Sequence, residues 1–184
     1  MWQQQLMNYQ PFNEKEKQDL RIISTCITTF ADVLTRKNEI VHFTCSGFVV
    51  NEARTKVLMV YHNIYRSWSW TGGHVDGETD FLVVAIREVE EETGVKATPV
   101  TSEIFAIDVL PVIGHIKKGQ YVTSHLHLNV TYLLEADELA ITRIAEEENS
   151  AVSWIPIHEL HLHCKEEHML PVYEKIITKM EQLS

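Results

Sequence analysis

Residues 72–94 constrain this chain more than any other stretch. Gly72-Gly73-His74-Val75-Asp76-Gly77-Glu78 places a glycine turn ahead of a segment that ends Arg87-Glu88-Val89-Glu90-Glu91-Glu92-Thr93-Gly94-Val95. Between them Leu82, Ala85, Ile86 and Val89 recur at three- and four-residue steps, the period of an amphipathic helix that buries one stripe. Thr79 or Asp80 can cap its start by accepting a backbone N–H, and Gly94 suits the left-handed residue just past its end. Glu88, Glu91 and Glu92 then stand at i, i+3 and i+4 and point off the other face, where like charges repel by roughly 0.2–0.5 kcal/mol per pair. A hard, oxygen-seeking ion such as Mg²⁺ or Mn²⁺ would turn that repulsion into coordination. The plainer alternative for such a run of glutamates is a solvated surface helix. That alternative leaves the glycine pair and the arginine at their fixed offsets without a purpose.

These residues resemble the Nudix box: glycine, five residues, glutamate, seven residues, Arg-Glu, an aliphatic residue, any residue, Glu-Glu, any residue, glycine, aliphatic. Counting back from Arg87 puts the box glycine at Gly73 and the Arg-Glu pair at Arg87-Glu88, with Val89, Glu91, Glu92, Gly94 and Val95 in place. One position departs. The first box glutamate falls on Thr79, while the acid stands one step earlier at Glu78; counting from Gly72 restores that spacing and breaks the next. In the family that glutamate supports the loop, so the departure touches support and leaves the helix cluster intact. Trp68-Ser69-Trp70-Thr71 also resembles the family's lead-in strand, with Thr71 where a proline is common.

The resemblance implies an α/β fold, a Nudix-type α/β/α sandwich around a mixed β-sheet. It also implies a hydrolase in which water attacks phosphorus and cleaves the diphosphate linkage of a nucleoside diphosphate joined to another moiety. By the same resemblance Glu88, Glu91 and Glu92, with the Gly73 carbonyl, would hold Mg²⁺ or Mn²⁺, and Arg87 would orient the cluster through its rigid guanidinium fork. Family members draw the general base either from the box or from a distant loop. Glu148, in Glu146-Glu147-Glu148-Asn149-Ser150 ahead of Trp154, stands where the distant glutamate is expected, with Glu147 beside it; the alternative is a solvated acidic loop. Two other functions fit such a fold. A nucleotide-sensing module usually loses the box carboxylates, which this chain keeps, and an isoprenoid diphosphate isomerase needs a catalytic cysteine beside an acid, a context Cys45 lacks.

With 184 residues, 45% of them hydrophobic, the chain can bury one good core but not two full domains. Its 16 Lys+Arg against 26 Asp+Glu give a formal charge of −10, which offers no basic field to a polymeric nucleic acid. A small nucleoside diphosphate derivative arriving with its metal is the better partner. Cys26, Cys45 and Cys164 are scattered and lack CxxC spacing, so a reducing, cytoplasmic setting is expected, with neither a disulfide framework nor a zinc knuckle. No apolar run approaches the roughly 20 residues of a membrane span, and no early basic-plus-apolar signal is present.

Along the chain, residues 1–40 read as an N-terminal helical extension and 41–184 as the Nudix domain. Within residues 13–37, Leu20, Ile23, Ile27, Phe30, Ala31 and Leu34 follow a helical period, and this stripe must cover the main domain or a second copy, which makes a homodimer possible. Residues 42–50 and 56–62 read as strands joined in a hairpin; 104–110, 125–134 and 152–156 read as further apolar or alternating strands, and 169–183 as a closing helix. On the 125–134 strand, His125, His127, Asn129 and Thr131 share one face, which requires water or a cleft. His125 and His127 could chelate a transition metal, but no cysteine or neighbouring third histidine completes a set, so lining a substrate cleft is the expected role. His74, next to the box glycines, is placed to approach substrate phosphate. Trp68, with Trp70 and Tyr65, could stack on a base or simply pack in the core. His158, His161, His163 and His168 have no ligand spacing and are expected on a surface loop.

Overall fold

A computed structural model describes residues 2–117 and 119–183. In chain order the elements are α1 (Trp2–Asn8), α2 (Glu14–Thr29), β1 (Val41–Val50), β2 (Lys56–His62), β3 (Ser67–Ser69), β4 (Thr71–His74) and α3 (Phe81–Thr93). There follow β5 (Thr98–Pro99), β6 (Ala106–Val112), β7 (His115–Lys117), β8 (Gln120–Val122), β9 (His125–Glu135), β10 (Asn149–Pro156), α4 (Leu160–His163) and α5 (Leu170–Glu181). One mixed sheet carries the fold, in the order β10-β2-β1-β9-β5, with β3 on β2, β4 on β1 and β6 on β9. The β1 and β9 strands run parallel, in register from Val41 opposite Leu126 to Val50 opposite Glu135.

Because β1 is buried along its whole length, its alternating side chains feed two cores. Phe43, Cys45 and Val49 face a layer built from α1, α2 and α3, while Phe48 and Val50 face α5 through Tyr173 and Ile176. This is an α/β/α sandwich around a mixed β-sheet. On α3 the buried stripe is Phe81, Val84, Ala85 and Val89, whereas Leu82 and Ile86 are only partly covered, so the helix is rotated from the orientation its sequence suggests.

The N-terminal segment differs from expectation in two ways. The long helix stops at Thr29, where Phe30 turns extended (φ −103, ψ 133), and Phe30 and Leu34 reach the core from irregular backbone while Ala31 is exposed. Ahead of it lies an additional helix, α1, whose Trp2 packs on Phe43 and Phe81 with ring centroids 5.2 and 5.4 Å away. The stripe is docked within the same chain: Ile23 and Cys26 are buried, with Leu20 and Ile27 packed beside them.

A buried ion network fastens this layer to the sheet edge. Lys175 of α5 lies 3.0 Å from Glu16 and 2.7 Å from Asp108, and Lys15 binds the other Asp108 oxygen at 2.7 Å. Glu16 also accepts from the Tyr9 hydroxyl (2.7 Å) and the Phe12 N–H (2.8 Å). The carboxylates of Glu16 and Asp19 accept the β6 amides of Ile107 and Val109 (3.4 and 3.2 Å), so side chains satisfy backbone groups that a further strand would otherwise pair.

Candidate active site

The box helix and the glycine strand meet face to face. Asp80 caps α3 by accepting the Val83 N–H at 3.2 Å, and Gly94 closes it in the left-handed region at φ 73. Gly72 and Gly73 pair with Ser46 and Cys45 of β1, and their missing side chains permit a close approach to the helix. A Cβ on Gly73 would collide with the Glu88 carboxylate, and one on Gly72 would lie 2.6 Å from the Cys45 carbonyl oxygen. The Gly72 N–H donates to Glu92 at 2.9 Å.

The three box carboxylates do not share one exposed face. Glu92 is buried, 5% exposed, and the Glu88 side chain is 14% exposed, whereas that of Glu91 is 62% exposed. The rotation of α3 tucks Glu92 beneath β4. Arg87 touches both neighbours, at 3.3 Å to Glu88 and 3.7 Å to Glu91.

In the turn ahead of the helix, Asp76 (φ 47) and Gly77 (φ 93) both adopt positive φ, and the Arg36 guanidinium grips the Asp76 carboxylate at 2.9 and 2.6 Å. Glu78 accepts from the Thr79 and Asp80 N–H groups at 2.6 and 3.0 Å. Shifted by one residue from the family pattern, this glutamate braces the loop immediately before the helix cap.

Charge in the cluster is poorly compensated. Burial, followed by repulsion from Glu148, Glu88 and Glu91, pushes the Glu92 carboxyl up to about 8 against the opposing Gly72 N–H. Glu88 is raised by burial as well, with Glu91 and Glu148 adding to it and Arg87 opposing. Glu148 is therefore close enough for its field to act on Glu88 and Glu92, although it comes from a different part of the chain. Its loop is pinned by Asn149, whose amide donates to the Glu92 carbonyl at 3.0 Å, and by the Asn63 N–H, which donates to the Glu148 carbonyl at 3.0 Å. Arg87 meets only Glu88 and Glu91 of these carboxylates, and among the described residues only His42, His125 and His127 bring three potential ligand atoms within 4.8 Å of one another. Cys45 sits buried beneath Gly73 with its thiol pushed up by that burial, the reverse of what a nucleophilic or acid-base cysteine needs.

The histidines are arranged otherwise than expected. His125 and His127 are joined by His42 of β1, which the parallel register sets beside His127, and by His74 of β4, opposite Thr44. Ring centroids are 4.9–5.1 Å apart between His42 and each of the other three, and 5.0 Å between His74 and His127. Sequence spacing missed His42 because His125 and His127 are more than eighty positions away; only the two-residue alternation shared by two strands could have hinted at it. Burial, then the neighbouring imidazoles, pushes His127 down to about 2. Next along the same face, Thr44 and Ser46 donate to the Asn129 oxygen at 2.9 and 2.8 Å, and Asn129 donates to Thr131 at 3.0 Å, which satisfies the polar ladder internally.

Trp68 and Trp70 are partly buried against the α5-side core, edge-on to Tyr61 (5.6 Å) and Tyr173 (5.4 Å). Tyr65 is exposed and stacks on His62. His158 lies in a 3₁₀ turn and His161 and His163 on α4, instead of in an open loop.

Residues 42–176 match the NUDIX domain family. A hydrolase of CMP-5'-(N-acetyl-N-hydroxy-3-aminopropyl)phosphonate from Streptomyces rubellomurinus is 29% identical over 115 residues, covering 60% of this chain and 50% of that protein, so the chain spans about half the length of this curated relative. Among solved structures, an Ap4A hydrolase from C. elegans superposes with TM-score 0.54 at 15% identity, covering 76% of this chain and 98% of that one. A NUDIX-family hydrolase from Clostridium perfringens superposes with TM-score 0.53 at 21% identity, covering 76% and 97%. With its box on the β4–α3 corner of the shared sandwich, the chain belongs to the Nudix hydrolase family.

Proposed function

We propose that this chain is a divalent-metal-dependent hydrolase that cleaves the diphosphate linkage of a nucleoside diphosphate joined to another moiety. The observation that carries this reading is the convergence of the half-buried Glu88 and buried Glu92 on Gly72-Gly73, with Arg87 as the cation in contact. Buried carboxylates held close without matching cations are costly unless a cation joins them.

Glu88, Glu91, Glu92 and the Gly73 carbonyl would hold Mg²⁺ or Mn²⁺, which supplies neutralisation of diphosphate charge and a more acidic water. The protein's own residues do the rest. Arg87 fixes the Glu88 and Glu91 carboxylates, Gly72 orients Glu92, and Glu148 approaches from the facing loop to take the proton of the attacking water. His74 ends β4 next to the glycines with its ring 5.0 Å from those of His42 and His127, and would meet substrate phosphate on the face where His125 and His127 would line the cleft, while Trp68 packs against the α5-side core. Residues 1–40 would act as an extension to a catalytic domain of 41–184, in keeping with a family match that begins at residue 42. A cytoplasmic setting suits three free cysteines, and among the described residues no helix is long and apolar enough to cross a membrane.

The test is release of phosphate or nucleotide from a panel of nucleoside diphosphate sugars, dinucleoside polyphosphates, nucleoside triphosphates and CMP-linked phosphonates, each with Mg²⁺ and with Mn²⁺. Turnover of at least one class that stops with EDTA is expected. Saturable binding without turnover of any compound would replace the enzyme by a nucleotide sensor.

A further inference from the structure

We propose that His42, His125 and His127 form a second metal site, one for a borderline transition ion of the Zn²⁺ class, separate from the carboxylate seat of the box. Their ligand nitrogens all lie within 4.8 Å of one another, and the Nε2 atoms of His125 and His127 are 3.2 Å apart. Zn–N bonds of about 2.0–2.1 Å at tetrahedral angles set nitrogens about 3.3 Å apart, so one edge of the tetrahedron is already formed.

The hydrogen bonds around two of the three rings aim their lone pairs inward, and the His127 Nε2 proton, which bridges to His125 Nε2, is the one that an ion would displace. His42 Nδ1 lies 2.8 Å from the Asn38 carbonyl and His125 Nδ1 lies 2.8 Å from the Thr123 carbonyl. A carbonyl can only accept, so each Nδ1 carries the proton and donates it, which leaves each Nε2 with a lone pair; this is the outer bonding that metal-bound histidines use. His42 Nε2 is fully buried and has no hydrogen-bond partner among the described residues, a polar atom that a bound ion would satisfy. Nitrogen donors of this softness select Zn²⁺, Co²⁺, Ni²⁺ or Cu²⁺ over Mg²⁺, which prefers oxygen. A phosphate in the same place would require several protonated rings about 5 Å apart, whose charges repel.

His42 and His127 face each other across the parallel β1–β9 pair, and His125 follows two positions earlier on the same face of β9. Three histidines leave one tetrahedral position for water or a substrate oxygen, and the His74 ring lies beside the trio. The site does not depend on the hydrolase reading, since it uses none of the box carboxylates.

Full-length protein stripped with EDTA and titrated with Co²⁺ alone tests the site, because tetrahedral Co²⁺ absorbs visible light far more strongly than the octahedral ion expected among carboxylates. The expected result is an intense visible band that saturates at one ion per chain, is retained in Glu91→Gln, and is weakened at least tenfold in affinity in His125→Ala and His42→Gln. Zn²⁺ should raise the melting temperature of the wild type and leave that of His125→Ala unchanged. His125 is only partly buried, so its variant stays folded if His42→Gln does not. Absence of the band in the wild type, its persistence in His125→Ala, or its loss in Glu91→Gln would each overturn the proposal.

Discussion

Two groups of buried carboxylates in this molecule have opposite surroundings. Glu16 and Asp108, between α2, β6 and α5, are met by Lys175 and Lys15 at 2.7–3.0 Å. Burial alone would raise both carboxyls: at Glu16, Lys175, the Phe12 N–H and the Tyr9 hydroxyl together hold it below the ordinary range, whereas at Asp108 burial outweighs Lys175 and Lys15 and leaves the carboxyl raised even with two cations in contact. Glu88 and Glu92 are nearly as buried but have carboxylates as neighbours and are pushed upward. The first group carries its counter-charge in the sequence and acts as a fastening. The second has only the half-exposed Arg87 beside it, and under the proposed function the rest of its counter-charge would come with a metal ion.

Removing a counter-charge from the fastening should have the largest effect on the fold. Lys175→Met leaves Glu16 without a cation in contact and Asp108 with Lys15 alone, and should cost about 3–5 kcal/mol in urea unfolding, with specific activity of the folded fraction unchanged. A loss under about 1 kcal/mol would mean that the network is more hydrated than its geometry indicates.

Charge removal from the box should do the reverse. Glu91→Gln and Glu92→Gln are expected to lower turnover at least about a hundredfold, equivalent to roughly 2.7 kcal/mol, without loss of fold, and EDTA should abolish wild-type activity until Mg²⁺ or Mn²⁺ is restored. Glu148→Gln should lower kcat with little change in KM, the pattern of a contact made mainly in the transition state. Glu147→Gln is its control: loss there and not at Glu148 would shift the assignment by one residue, and full activity in both would return the base to the box.

The contrast also has a pH signature. The Glu92 carboxyl titrates near about 8 in the folded chain against an ordinary value of 4.5, so between those values the folded state holds more protons than the unfolded one. Stability of the metal-free protein should therefore fall as pH rises from about 4.5 to about 8, by up to about 5 kcal/mol. Denaturation in EDTA at several pH values would show this slope, and Glu92→Gln should flatten it. A slope that survives in Glu92→Gln belongs to other groups.

How far the sequence anticipated these two regions follows from the range of their contacts. The α3 cap, narrowed to Thr79 or Asp80 and found at Asp80, its stop at Gly94 and the carboxylate spacing are local, set within a few residues, and were legible. The rotation that buries Glu92 was not, because it depends on how Phe81 and Val84 pack on β1. The fastening was hidden for the same reason: Lys175 and Asp108 stand 67 positions apart, and nothing in either neighbourhood announces the other. His42 joined the cleft histidines only through the parallel register of β1 and β9. Helix α1 escaped notice because Trp2 and Leu6 are two apolar residues in a glutamine-rich segment, too few to mark a period.

The smallest effect concerns a pair that is compensated yet exposed, and it asks whether burial or pairing sets the difference between the two groups. Arg36 grips Asp76 in the turn before the box helix with short contacts, but the two side chains are 54% and 44% exposed. Water solvates both charges well, so little desolvation has to be offset and little is lost when one partner goes. Arg36→Ala should cost about 0.5 kcal/mol at low ionic strength, and the difference should shrink towards zero in 1 M salt, where the screening length is about 3 Å. A salt-independent loss of several kcal/mol, measured by chemical unfolding at both ionic strengths, would show that pairing alone makes a fastening. A small, screened loss would assign the strength of the Glu16–Lys175–Asp108 network to its removal from water.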